Sequence, residues 1–205
     1  MLTVDRKAPA CEARQFERLL AQHCAPALMG VKASNLFNWR GCPALLRRLA
    51  DDCGARLAGA GVCFRLFAVP RQDTLVLVYR RDCLERQLMR PGVREMLTQF
   101  GYPATEDTER LLDHLASRLV EAGGFPHEIG LFLGYPIEDV AGFCRHGGRC
   151  CKCGGPWKVY GDVRHAQRCF RRYSRCAARL GRRMEAGETL GAVLCGDGGG
   201  LVGAG

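Results

Sequence analysis

Residues 144–155 read CRHGGRCCKCGG and set four cysteines and a histidine within twelve positions. Cys150 and Cys153 form a C-x-x-C pair, the spacing that lets two thiolates turn toward one ion. A closed zinc site needs four ligands. The further ligands on offer are Cys144 and His146, at the end of the preceding helical segment, and Cys151, whose neighbouring position points it elsewhere. No second C-x-x-C follows; Cys169 and Cys176 stand one heptad apart downstream. Three readings remain open: a metal held through Cys150 and Cys153, thiol redox chemistry, or cysteines acting only as small hydrophobes. The pattern specifies no cofactor.

A second group of chemistry-bearing residues surrounds two prolines. His127 and Glu128 follow Pro126, and Asp139 follows Pro136, so each set falls in the first turn of an expected helix. The partial positive charge of a helix start disfavours an imidazolium and favours a carboxylate, which leaves His127 neutral and Glu128 ionised. A neutral histidine can take a proton or a metal, and a helix N-terminus can receive an anion. The simpler reading is that Glu128 caps the helix and His127 hydrogen-bonds a carbonyl.

Tyr135 stands in the turn between the two helix starts, so the HEIGLFLGYPIED stretch folds them into one corner. Lys32 and Asn35, in the loop after a first strand, and Lys158 and Tyr160, on a last strand, are candidates to face it as ligand-binding residues. As an enzyme, the chain would use His127 as general base, Glu128 or Asp139 to orient it, and Lys32 to stabilise negative charge. No Walker loop, Rossmann glycine pattern, nucleophile elbow or H-E-x-x-H occurs.

These candidates need elements to hold them. Phe16, Leu19 and Leu20 give a first helix that Pro26 should close, and PALMGVKASNLFNW then yields a short strand. Pro43 opens a helix carrying Leu45, Leu46, Leu49 and Cys53 that Gly54 should end. VCFRLFAV (62–69) and TLVLVY (74–79) are β-rich runs separated by PRQD, which reads as a hairpin with a four-residue loop. Helices are expected over 82–90, over 92–100, and along TEDTERLLDHLASRLVEAGG, with Thr105 as its cap and the glycines as its stop. WKVY (157–160) is a strand whose alternation places Trp157 and Val159 on one side and Lys158 and Tyr160 on the other. Asp162 then caps a helix with Val163, Ala166, Phe170, Tyr173, Ala177 and Leu180 on one side and six arginines on the other.

The order implies an α+β domain spanning 1–186, a small mixed sheet of about four strands with packed helices. Residues 187–205 are glycine-rich and expected to be a tail whose last ten residues are disordered.

Length and composition bound the class. A chain of 205 residues with 47% hydrophobic and 25% charged residues has the make-up of a globular protein. No long apolar run and no signal-peptide pattern occurs, so the expectation is a soluble cytoplasmic protein without membrane association. Thirteen cysteines spread through apolar segments fit free thiols in a reducing compartment better than a disulfide scaffold. The net charge of +9 is concentrated in residues 161–183, where eight arginines face a single acid, Asp162. Nucleic-acid binding is the partner such a segment suggests, and a solvated helix face is the plainer reading. Phe170 and Tyr173 fall on the apolar side, away from the arginines, which weakens the nucleic-acid reading.

FPHEIGLFLGYPIEDVAGF and GGPWKVYGD, together with LMGVKASNLFNW and TLVLVYRRDCLERQL, resemble the hallmark segments of a bacterial family, domain of unknown function 3793. The likeness spans roughly residues 15–190. It implies an origin in anaerobic bacteria and no established activity. In the family pattern one cysteine precedes the WKVY segment and another closes the following helix, corresponding to Cys153 and Cys176. A thiol function shared by those two is implied if the last helix brings them together. Cys150 and Cys151 have no counterpart, so a metal site on the C-x-x-C pair would be particular to this chain. The functional expectation is a small-molecule, anion or metal-binding protein in redox or metal-linked metabolism, with the enzyme and the nucleic-acid binder as alternatives.

Overall fold

The computed structural model describes residues 9–69, 74–121 and 125–196. Helix α1 (Pro9–Leu28) leads into β1 (Ser34–Trp39), α2 (Pro43–Leu57), β2 (Val62–Phe67) and β3 (Thr74–Arg80). Four helices follow, α3 (Arg81–Leu88), α4 (Pro91–Gln99), α5 (Thr108–Glu121) and the short α6 (Ile129–Phe132). The chain continues through α7 (Ile137–His146), β4 (Cys153–Gly154), β5 (Lys158–Val159), α8 (Val163–Glu185) and α9 (Leu190–Gly196).

The class is α+β, and its sheet differs in detail from the sequence expectation. The strands form a three-stranded antiparallel sheet, β1-β3-β2, and a separate two-stranded antiparallel ribbon, β4-β5. β2 and β3 pair antiparallel as the predicted hairpin, whose PRQD loop lies outside the described residues.

β3 is the central strand, and its composition explains why. Leu75, Leu77 and Tyr79 enter the core shared with α3 to α7, while Val76 and Val78 enter the core shared with α1, α2, α8 and α9. A strand covered on both faces reads as a continuous apolar run, which TLVLVY is. A third, smaller cluster of Trp157, Val159 and Ala166, backed by Tyr135, Phe170 and Tyr173, ties the ribbon to α8.

Three boundaries moved for physical reasons. α2 continues past Gly54 to Leu57, whose side chain is buried in the core shared with α1 and α9, so the glycine does not end it. α1 runs through Pro26 to Leu28 because proline in the last turn forfeits one hydrogen bond, while Ala25, Ala27 and Leu28 are fully buried. The carbonyl of Pro26 then accepts from the Val31 and Lys32 amides at 2.8 and 3.1 Å, which turns the chain sharply toward β1. α5 is capped by Asp107, whose Oδ1 accepts from the Glu109 amide at 2.9 Å, and Thr105 serves one step back by accepting from the Asp107 amide at 3.1 Å.

The expected tail starts too early. Leu190 and Val193 of α9 are buried against α1 and α2, so the segment up to Gly196 is part of the core, and residues 197–205 lie outside the described residues. The Glu17 carboxylate accepts from the Leu190 amide at 3.3 Å and so holds the α9 start.

Candidate functional site

Asp139 shows how the corner is built. It lies in the first turn of α7, is 2% exposed, and accepts three hydrogen bonds at 2.7 Å, from Trp157 Nε1 and from the amides of Tyr160 and Gly161. A carboxylate bonded to three donors is a structural clamp. It fastens the ribbon to α7, and both of its oxygens are engaged in that clamp.

Glu128 is also claimed by structure. It is 2% exposed, accepts from Arg118 Nε at 2.8 Å and from the Tyr102 hydroxyl at 3.3 Å, and so ties α5 and the loop after α4 to the start of α6. No capping bond forms from its side chain. α6 has only four residues, so it supplies little of the dipole on which the expected charge states of His127 and Glu128 rested.

His127 packs edge-on to Phe143, ring centroids 4.8 Å apart. Neither carboxylate is directed to it. The triad of His127, Glu128 and Asp139 expected for acid–base chemistry is therefore not assembled.

A recess of about 380 Å³ nevertheless opens at this corner. Tyr135, Phe143 and Trp157 wall it, His127 and Lys158 present polar groups, and Phe125 stands at it 46% exposed. Tyr135 stacks on Trp157 at 4.9 Å, and its hydroxyl donates to the Pro156 carbonyl at 3.3 Å. The alternation expected on β5 holds, with Trp157 and Val159 buried, Lys158 exposed and Tyr160 half-buried.

The remaining ligand-binding candidates separate. Lys32 precedes β1 and Asn35 lies within it, not in a loop after a first strand; Asn35 Oδ1 accepts from the Ala27 amide at 3.1 Å and braces the end of α1. Tyr160 stacks on His146 at 5.6 Å and donates to the Arg149 carbonyl at 3.0 Å.

Lys32 faces a second cavity, of about 280 Å³, lined by residues 30–33, by Cys83, Arg86, Gln87 and Arg90, and by Gly134 and Tyr173. Gly134 adopts φ +73°, and this allows the chain after α6 to approach Ala33. Lys32 is 7% exposed, its Nζ 5.0 Å from the Tyr135 ring centroid and 5.7 Å from that of Tyr173. Burial pushes its ammonium down to about 8, partly countered by Cys24. Burial likewise raises the thiol of Cys24, which stays neutral, and lifts the Tyr135 phenol to about 12.

The match to known sequences covers this whole region. The model of a family described as "Protein of unknown function (DUF3793)" matches residues 20–194. The chain belongs to that family. Every residue lining the two cavities falls within the DUF3793 match. No curated protein and no solved structure matches the chain.

The thiols are distributed rather than gathered. Cys176 is buried in the core with α1 and α2, whereas Cys153 packs beside Trp157, so α8 does not bring the two together. Among the described residues no three His, Cys, Asp or Glu side chains converge to hold a metal ion, and the Cys150 and Cys153 pair gains no third ligand. All thirteen cysteines are free thiols. Among the described residues no helix is long and apolar enough to cross a membrane.

Arg86, Arg90 and Tyr173 were missed because four distant segments supply the Lys32 cavity. The available signal was the spacing of Cys83, Arg86, Gln87 and Arg90, which repeats at three and four residues along α3.

Proposed function

We propose that this DUF3793 member is a small-molecule-binding protein whose ligand occupies the recess walled by Tyr135, Phe143 and Trp157. One observation carries the reading. A cavity of about 380 Å³, mostly apolar and with His127 and Lys158 as isolated polar groups, has the size and make-up of a ligand site. The chemistry selects a compact, largely aromatic or aliphatic compound with one acceptor or acidic group for Lys158. The two buried carboxylates, Glu128 and Asp139, keep the recess in shape.

8-Anilinonaphthalene-1-sulfonate, an aromatic acid, is the probe. Saturable binding at one site per chain, with energy transfer from Trp157 that is lost in Trp157→Phe, is expected. Phe143→Ala and Lys158→Ala should each weaken it several-fold, while Lys32→Met leaves it unchanged. Binding indifferent to all three recess substitutions removes the reading.

The enzyme alternative is supported less well, because Glu128 and Asp139 are bonded to other groups and His127 has no carboxylate to orient it. The link to redox or metal metabolism rested on the cysteines, and their separation does not support it.

A further inference from the structure

We infer that the cavity at Lys32 is a binding site for a small phosphate-type oxyanion, held by the Lys32 ammonium at its base and by Arg86 and Arg90 at its mouth. The inference does not depend on the ligand of the Trp157 recess.

A lysine enclosed to 7% exposure normally meets a carboxylate, because an isolated ammonium out of water is costly. The neighbours of Lys32 are two tyrosine rings, the neutral Cys24 thiol and more cations. The rings offset part of the cost through cation–π attraction but supply no hydrogen-bond acceptor in line with the ammonium. Among the described residues no acidic one lines the cavity. Asp82, at the start of α3, lies outside the lining, 3.0 Å from Arg86 and 4.0 Å from Arg80. Arg80 itself packs over Gly30 at the cavity edge, and its buried Nε has no hydrogen-bond partner among the described residues.

Positive groups accumulate here beyond what the protein's own acids balance, and an anion supplies the missing charge. Gln87 prepares the mouth for it. Its amide donates to the Leu131 carbonyl at 3.1 Å and its oxygen accepts from Arg90 at 3.3 Å, so Arg90 is held by a fixed, buried side chain. The guanidinium fork and the ammonium are complementary to an anion with several oxygens and more than one charge. Phosphate meets that description better than a carboxylate. A cavity of about 280 Å³ admits the anionic group and a few further atoms, which places the ligand among small phosphorylated compounds.

The groups facing Lys32 are Cys24 on α1, Cys83, Arg86 and Arg90 along α3 and its end, Tyr135 before α7, and Tyr173 on α8. The thiols and phenols among them whose titration is displaced are all raised, so they stay neutral while Lys32 is charged. Affinity for an anion should therefore hold up to about pH 8 and fall above it as Lys32 loses its proton.

The test is calorimetric titration of the intact chain at low chloride with inorganic phosphate, sulfate and acetate. Saturable binding of one phosphate per chain, tighter than acetate, is expected. Lys32→Met should weaken it more than about tenfold, the loss of one charged hydrogen bond. Arg86→Gln with Arg90→Gln, both substitutions nearer the surface, should weaken it similarly without touching the core. Lys158→Ala, in the other cavity, should leave it unchanged. Sulfate, which does not titrate, reports the pH profile. The inference is overturned by absence of saturable phosphate binding below about 10 mM, by acetate binding more tightly, or by unchanged affinity in Lys32→Met or the double arginine variant.

Discussion

At the scale of single residues, Lys32 and Asp139 make opposite contributions. Lys32 is a buried cation without a carboxylate, so removing its charge should stabilise the fold. The displacement from 10.5 to about 8 corresponds to roughly 3 kcal/mol, an upper bound that the two tyrosine rings reduce. Between those pH values the unfolded chain binds more protons than the folded one, so stability gained from this residue rises with pH across the window. With about 1 kcal/mol left after that reduction, Lys32→Met should raise Tm by about 2–4 °C at pH 7. Its advantage over the wild type should be complete below pH 8 and close as pH approaches 10.5, as read by parallel thermal unfolding of the two proteins. A variant less stable than the wild type at pH 7 would show that the cation–π contacts outweigh the desolvation. Asp139→Asn is the opposite case. An amide presents one acceptor and two donors to three N–H groups, and a loss of about 2–4 kcal/mol in denaturant unfolding is expected. Because the bonds reach across to Trp157 and Gly161, the same variant should also shift the Trp157 emission toward that of an exposed indole.

Elements explain why some of this could be read in advance and some could not. The α8 stripe, its Asp162 cap and the β2-β3 pairing follow from patterns within a single segment, and the sequence showed them. The role of Asp139 did not show, because its three donors lie 18 to 22 positions away on a ribbon of two-residue strands. A carboxylate near a helix start reads locally as a cap or a catalytic group, and only the tertiary approach of α7 to β5 makes it a clamp. Glu128 is the same case with Arg118 and Tyr102. The Lys32 cavity needs the turn after α1, one face of α3 and a tyrosine of α8, so no single stretch announces it. The approach of α7 to β5 also sets a measurable constraint. Gly142 lies directly against the Tyr160 ring, and an added Cβ would overlap it. Gly142→Ala should push the ribbon off α7, strain the Asp139 bonds and cost about 1–3 kcal/mol. It should also widen the Trp157 recess, read as weaker binding of the anilinonaphthalene probe.

For the whole molecule the dominant feature is uneven charge. Arg164, Arg168, Arg171, Arg172, Arg175, Arg179 and Arg182 are exposed on α8, with no acid on the helix between Val163 and Met184. Arg183 is half-buried and bonded to Glu188 at 2.8 Å. Such a face attracts polyanions through their phosphates regardless of sequence. Stacking surfaces are missing from it, since Phe170 packs edge-on to Trp157 at 4.6 Å and Tyr173 lies against Trp157 and Lys32. With Phe170 and Tyr173 turned into the protein, base stacking adds little and the electrostatic contribution, the part most sensitive to salt, dominates. Duplex DNA should therefore associate at low ionic strength, without preference between sequences, and dissociate as salt rises from about 50 to 200 mM. Reversal of charge at Arg168, Arg171 and Arg175 should abolish the association in a mobility-shift titration and leave phosphate binding at Lys32 intact, because none of the three lines the Lys32 cavity. Retention at 200 mM salt, or discrimination between two duplexes, would instead make the α8 face a dedicated nucleic-acid site and place both cavities in a supporting role.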